Sequence, residues 1–279
     1  MYKTVTIVGV GLIGGSIGLA LRERELAERV IGVGHRAVSL RKAKQVGAVD
    51  ETTQRLDRGV ADADLVVVAT PIASIVDQIR AAASACRPDT LITDAGSTKA
   101  AIVSSLNGAL TDGVRFVGSH PLAGSEKSGP DAATASLFDG RIVVVTPART
   151  TPKAAAADVA DFWSALGATV FMMSPEQHDA ALASTSHLPH LVASLLAGVT
   201  PKADLPLTAT GWEDTTRVAA GDPALWTQIF MDNRANVLKS LARFEKTMQK
   251  AKAAIERGDA KTLQRLLAEA KAIRDAVGS

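Results

Sequence analysis

The sequence predicts an α/β protein: a doubly wound, parallel sheet in the N-terminal part, then an all-helical C-terminal part. Three observations carry this. Short apolar runs alternate with helical stretches up to about residue 172, the pattern of a sheet covered on both faces. A glycine-rich turn joins the first strand to the first helix. From about Pro175 no further strand pattern occurs, and apolar residues recur at the three-to-four spacing that one helix face requires.

The elements follow in order. Val5–Val8 reads as a strand and Leu12–Arg24 as a helix; Val30–Val33 is the next strand, with a helix through about Gln45. "DLVVVATP" (Asp64–Pro71) is a continuous apolar run that stops at a proline, as a strand buried on both faces does. Leu91–Thr93, the run "RFVG" at 115–118, Ile142–Val145 and Thr169–Met172 are further strands. The alanine-rich "PKAAAADVADF" predicts a helix. "GSHPLAGSEKSG" (118–129) predicts a loop, because Pro121 lacks a donor and the glycines remove helix propensity; a regular helix or interior strand is excluded. Pro189 disfavours helix at Leu188 unless it sits in a kinked one. Val237, Leu241, Phe244 and Met248 define a helix that Gly258–Asp259 breaks, and Leu263, Leu266, Leu267, Ala270 and Ile273 start another stripe. The change of pattern near 173–176 predicts two units, 1–173 and 174–279.

Composition narrows the function classes. The 279 residues, 47% hydrophobic, are ample for a core. With 31 basic and 29 acidic residues the net charge is +2, no basic run is dense, and aromatics are scarce, so no nucleic-acid track is expected. No apolar run is long enough to span a bilayer, so no membrane partner is expected. One cysteine, Cys86, allows no internal disulfide, and the first residues read directly as a strand rather than a signal peptide; both point to the cytoplasm.

The chemistry begins at "VTIVGVGLIGGS". Gly9, Gly11 and Gly14 have G-x-G-x-x-G spacing between a strand and a helix. The first glycine permits the tight turn, the second lets a pyrophosphate approach the backbone, and the third lets helix and strand pack closely; the helix N-terminus faces the phosphates. This is the Rossmann-type dinucleotide turn. Leu12 and Ile13 within it, and Thr70 and Pro71 at the end of a later strand, complete the candidate cofactor set. NAD enzymes usually carry an acid at the end of the second strand, where this chain has His35 and Arg36. A guanidinium there would bind a 2′-phosphate, which favours NADP over NAD. The bland alternative is that Arg36, Arg41 and Lys42 form a solvated helix start.

Of the five histidines, His120 is best placed, because it follows a strand and ligands of open α/β sheets bind beyond strand C-termini. A histidine near neutrality can take a proton from an alcohol while hydride leaves the same carbon. "TDAGSTK" also follows a strand, so Ser97 should reach the same crevice; it could orient His120, bind substrate, or cap a helix beginning near Thr98. His187 and His190 in "STSHLPH" lack an evident third ligand, so no metal site is expected, and on spacing alone satisfied core histidines are the readier reading. In "GWEDTTRVAAGDPALW" (211–226), Asp214 and Arg217 form either a surface ion pair at a helical corner or, through the arginine, a grip on a substrate carboxylate.

Taken in order, "GVGLIGGS", "TDAGSTK", "GSHPLAGSEKSG", "SHLPH" and "DTTRVAAGDPALW" resemble the prephenate/arogenate dehydrogenases of tyrosine biosynthesis, from residue 5 to about 240. The resemblance implies a Rossmann domain, a helical domain that forms a homodimer, and an active site in the cleft between them. It implies oxidative decarboxylation of a small ring acid: hydride goes to the nicotinamide, the ring carboxylate leaves as CO2, and the ring becomes aromatic. It gives His120 as the acceptor of the hydroxyl proton, with Ser97 assisting. It gives His190 and Arg217 as substrate-binding residues and Glu126 and Asp214 as acids of an ionic gate, with Ser125 beside Glu126 in the substrate loop. His190 is a prephenate-like feature, the missing acid at His35–Arg36 is like NADP-using members, and Glu213 stands where many relatives carry a base. The expected activity is that of a prephenate dehydrogenase, most simply with NADP. The alternatives are an arogenate dehydrogenase, a β-hydroxyacid-type dehydrogenase, which would need a catalytic lysine in the helical part, and a nucleotide-binding module without catalysis.

Overall fold

The computed structural model describes residues 1–108, 110, 113–124, 127 and 129–277. β1 (Tyr2–Val8) leads through the glycine turn into α1 (Leu12–Glu23), β2 (Ala27–Val33), α2 (Ala37–Gln45), β3 (Glu51–Thr53) and α3 (Leu56–Val60). β4 (Leu65–Val68), α4 (Ile72–Ala83), β5 (Leu91–Asp94), α5 (Ala100–Leu106) and β6 (Arg115–Pro121) follow, then β7 (Ile142–Thr146), α6 (Lys153–Ala165) and β8 (Thr169–Met172). After β8 the described chain is helical: α7 (Pro175–Leu182), α8 (Leu188–Val199), α9 (Thr210–Thr216), α10 (Pro223–Asp232), α11 (Arg234–Glu256) and α12 (Ala260–Ala276).

The strands form one sheet in the order β3-β2-β1-β4-β5-β6-β7-β8, parallel from β3 to β6. The order reverses between β1 and β4, which opens a crevice at the strand C-termini. Alternation along the strands feeds two cores. Val5, Ile7, Leu65 and Val67 pack with Ile17 and Leu21 of α1 and with Phe162 and Trp163 of α6. Val8, Val66 and Val68 pack with Ile75 and Ile79 of α4 and Ile102 of α5. Both faces are therefore covered, and the short β3 is the strand that the sequence pattern misses.

One expectation is corrected here. Gly118–Pro121 is not a loop: it continues β6 and pairs antiparallel with β7, His120 opposite Val144 and Pro121 opposite Val143. The β5–β6 pairing has already ended at Thr93 and Val117. Beyond that point β6 has a ladder partner on one side alone, so the missing donor of Pro121 breaks nothing. The sheet is thus mixed rather than wholly parallel.

In the helical half, a π-helical turn at Ala183–His187 joins α7 to α8 without a break. Pro189 falls in the first turn of α8, and the widened turn absorbs its missing N–H. Gly258, at φ +64°, ends α11, and the Asp259 side chain caps α12 by accepting from Thr262 N at 3.0 Å. α12 has no buried residue, and Leu238, Met248, Ile255, Leu267 and Ile273 of the α11–α12 pair are exposed. The helical half docks on the sheet half through α7 against α5 and α10 against α4. The Thr98 hydroxyl bonds Asp232 across that junction. Among the described residues no helix is long and apolar enough to cross a membrane.

Candidate active site

The glycine turn has the geometry that its spacing predicts. Gly9 has φ +97°, and a Cβ on it would lie 2.5 Å from the Ala69 carbonyl oxygen. A Cβ on Gly14 would overlap the Gly9 carbonyl, so α1 can lie against the turn only without one. A Cβ on Gly11 would meet nothing within 4 Å. Gly11 is also the N-cap of α1; no side chain caps the helix and no acid sits in its first turn. The free first-turn N–H groups therefore face open space, which suits a pyrophosphate.

Gly9, Gly11, His35, Arg36, Thr70 and Pro71 line one cavity of about 750 Å³ beyond the ends of β1, β2 and β4. Leu12, Ile13 and Gly14 lie beneath it in the first turn of α1 rather than in its lining. The Arg36 guanidinium makes no hydrogen bond or ion pair with the described residues, and Asp131, the one carboxylate among the described lining residues, is paired with Lys42. A dinucleotide fits this donor set: backbone N–H for the diphosphate, Arg36 at the ribose end.

His120 is half-buried near the end of β6. Its Nδ1 is 2.9 Å from Nε2 of His178 in α7, with the two rings edge to face. His178 Nδ1 is in turn 2.8 Å from Asp179 Oδ1. Asp179 accepts the backbone N–H groups of Lys99 at 2.8 Å and Ala100 at 2.9 Å, at the start of α5. Burial, then the neighbouring His178, Lys99 and His187, hold the His120 imidazole well below its ordinary range. It is thus neutral at physiological pH, not poised near neutrality, and ready to accept a proton. Burial pushes the Asp179 carboxyl up, but the His178 hydrogen bond and the two backbone donors outweigh it and keep it ionised.

Below this group lies a second buried ion pair. Lys99 Nζ bonds Asp94 and donates to the Ser119 carbonyl at 2.9 Å; both side chains are fully buried. Burial pushes the Lys99 ammonium down, and Asp94 opposes the shift. The pair ties the end of β5 to the last residues of β6 and so anchors the backbone beside His120. His187 is buried at the end of the π-helical turn, within 3.2 Å of Asn233 Nδ2, which also donates to the Asp179 carbonyl at 2.7 Å. His190 is buried and stacked on Trp226 at 3.5 Å between ring centroids. A Cβ on Gly221 would lie 3.0 Å from the His190 ring, so the turn carrying Arg217 closes directly over that stack.

Several expectations change. α5 starts at Ala100 with Lys99 as N-cap, so Ser97 caps no helix; its half-buried hydroxyl has no partner among the described residues. The partner of His120 is His178 instead. Asp214 and Arg217 are both exposed, and no ion pair joins them. Ser125 and Glu126 lie outside the described residues. Reading along the chain missed His178, Asp179, Lys99 and Asn233; the adjacent "HD" in α7 was the one visible signal for the first two.

An open diphosphate cradle at the ends of β1, β2 and β4, with an imidazole on the same edge of the sheet at the end of β6, fits an oxidoreductase that works with a pyridine nucleotide. Comparison with known proteins narrows this. The family models described as prephenate dehydrogenase, nucleotide-binding domain and dimerization domain match residues 17–172 and 174–269. A prephenate dehydrogenase from Bacillus subtilis is 34% identical over 282 residues, spanning 99% of this chain and 76% of that protein. The structure of prephenate dehydrogenase from Aquifex aeolicus with hydroxyphenyl propionate and NAD+ superposes at TM-score 0.90 with 33% identity, covering 99% and 98% of the two chains. The structure of Synechocystis arogenate dehydrogenase gives TM-score 0.84 at 30% identity, covering 99% and 100%. The chain belongs to the prephenate dehydrogenase family.

Proposed function

We propose that the chain oxidatively decarboxylates prephenate to 4-hydroxyphenylpyruvate, with NADP as the hydride acceptor. The observation that carries this is His120 at the C-terminal end of β6, on the same edge of the sheet as the dinucleotide cradle at the ends of β1, β2 and β4. The bound nicotinamide supplies the hydride acceptor. Residues Gly9 to Gly14, with Thr70 and Pro71, hold the dinucleotide, and Arg36, with His35 beside it, takes the 2′-phosphate. His120 accepts the proton of the ring hydroxyl as hydride leaves the same carbon, and Ser97 hydrogen-bonds that hydroxyl. His190 and Arg217 receive the substrate carboxylates, and Asp214, Ser125 and Glu126 are the further substrate-binding candidates. Loss of CO2 makes the ring aromatic, which drives the step.

The reading also divides the chain into a dinucleotide unit, 1–173, and a helical unit, 174–279, that pairs with a second copy. Exposed apolar side chains along α11 and α12, and the dimerization domain named by the matching family model, support the pairing. The single unpaired Cys86 supports a reducing, cytoplasmic setting.

A second reading, an arogenate dehydrogenase making tyrosine directly, is favoured by the free Arg36 and the similarity to the Synechocystis arogenate dehydrogenase. Steady-state kinetics with both acids and both cofactors separates the two. The higher kcat/KM is expected for prephenate with NADP+. A preference for arogenate overturns the substrate, and a preference for NAD+ overturns the role of Arg36. His120→Asn should lower kcat about a hundredfold or more at unchanged cofactor affinity.

A further inference from the structure

We propose that His178 and Asp179 are positioning residues which fix the proton of His120 on Nδ1 and present its Nε2 as the base. This rests on His120 being the proton acceptor. The geometry runs one way. Asp179, ionised, can only accept, so His178 Nδ1 donates to it across 2.8 Å. On the proposal, that is the one proton on His178, which leaves a lone pair on Nε2 and makes His120 Nδ1 the donor across the 2.9 Å contact. The remaining His120 nitrogen, Nε2, is left with a free lone pair. Without this chain of acceptors the ring could carry its proton on either nitrogen, and one of the two forms is no base toward the substrate.

Asp179 is held independently of the histidines. Both its oxygens are bonded to backbone N–H groups at the start of α5, and its own carbonyl is tied to Asn233. The reference point for the proton is thus a backbone feature of the sheet half, whereas the histidine it controls in α7 belongs to the helical half. When Nε2 takes the hydroxyl proton, His120 becomes an imidazolium that keeps Nδ1–H bonded to His178. No bond to His178 breaks and no further proton moves. The new positive charge sits near Lys99 but also faces, through His178, the Asp179 carboxylate.

The test uses the full chain with its bound cofactor. Two-bond 1H–15N correlation of the imidazoles reads the tautomer: His120 is expected as Nδ1–H, and an Nε2–H form in the wild-type protein overturns the proposal. His178→Phe keeps a ring and removes the acceptor; kcat should fall about a hundredfold or more with cofactor Kd unchanged. His178→Gln can offer its Oε1 at the position of Nε2, and should keep the His120 tautomer and recover at least tenfold over His178→Phe. A kcat within threefold of wild type in His178→Phe, or no difference between the two variants, defeats the assignment. If His178→Phe does not fold, the wild-type tautomer and the His178→Gln rate still decide. Retained rate in His120→Asn would instead sink the underlying reading, and loss there with none in His178→Phe would sink the relay alone.

Discussion

Replacing His187 with Asn should remove a defined part of this protein's acid sensitivity. His187 is buried at the end of the π-helical turn, and burial, with His178 and His190 adding to it against Asp179, holds its imidazole at about 4 rather than 6.5. The depressed value means that the folded state holds this ring neutral while the unfolded chain protonates it. Its stabilising contribution is complete above pH 6.5 and is lost as pH falls toward 4. At about 1.4 kcal/mol per pK unit the whole effect is worth about 3 kcal/mol, of which about 2 kcal/mol is gone by pH 5. The Asn side chain can still accept from Asn233, which limits damage at high pH. Urea denaturation followed by tryptophan fluorescence at pH 7.5 and 5.0 measures both proteins. The drop in stability between the two pH values should be about 2 kcal/mol smaller in His187→Asn. Equal drops would mean that the ring is not held neutral, and the reasoning from its burial would be wrong.

Two further outcomes follow from the same geometry. Gly11→Ala places its methyl in open space, so the melting temperature should change little while cofactor Kd rises tenfold or more by calorimetry; Gly14→Ala overlaps the Gly9 carbonyl and should lose fold and binding together. Lys99→Met leaves Asp94 buried without its counter-ion, which costs about 3–5 kcal/mol in urea denaturation.

The dinucleotide half was legible for a local reason. The glycine turn, the strand that leads into it and the helix that leaves it are contiguous, and Gly14 answers a steric demand set by Gly9 and Ile7, its near neighbours in the chain. Arg36 is likewise placed by a local cue, three residues past the end of β2. His120 stands out because it follows an apolar strand run, but the sequence does not show that the strand continues through it. Pro121 argues against a strand with two neighbours, and no local pattern shows that β5 stops at Asp94 while β6 continues against β7.

By itself, then, the sequence determined the α/β order, the change to helices after β8, the glycine turn and the place of His120 after an apolar strand run, since each depends on periodicity or on residues within one turn of one another. Tertiary structure alone decided what stands behind that histidine. His178 lies 58 positions from His120, and Asp179 lies 80 from Lys99, whose backbone holds it. Docking of α7 on the sheet half brings them together, and burial with His178 and Lys99 nearby holds the His120 imidazole below its ordinary range. Hydrogen bonding and desolvation act over a few ångströms of space, and separation along the chain carries no record of that distance.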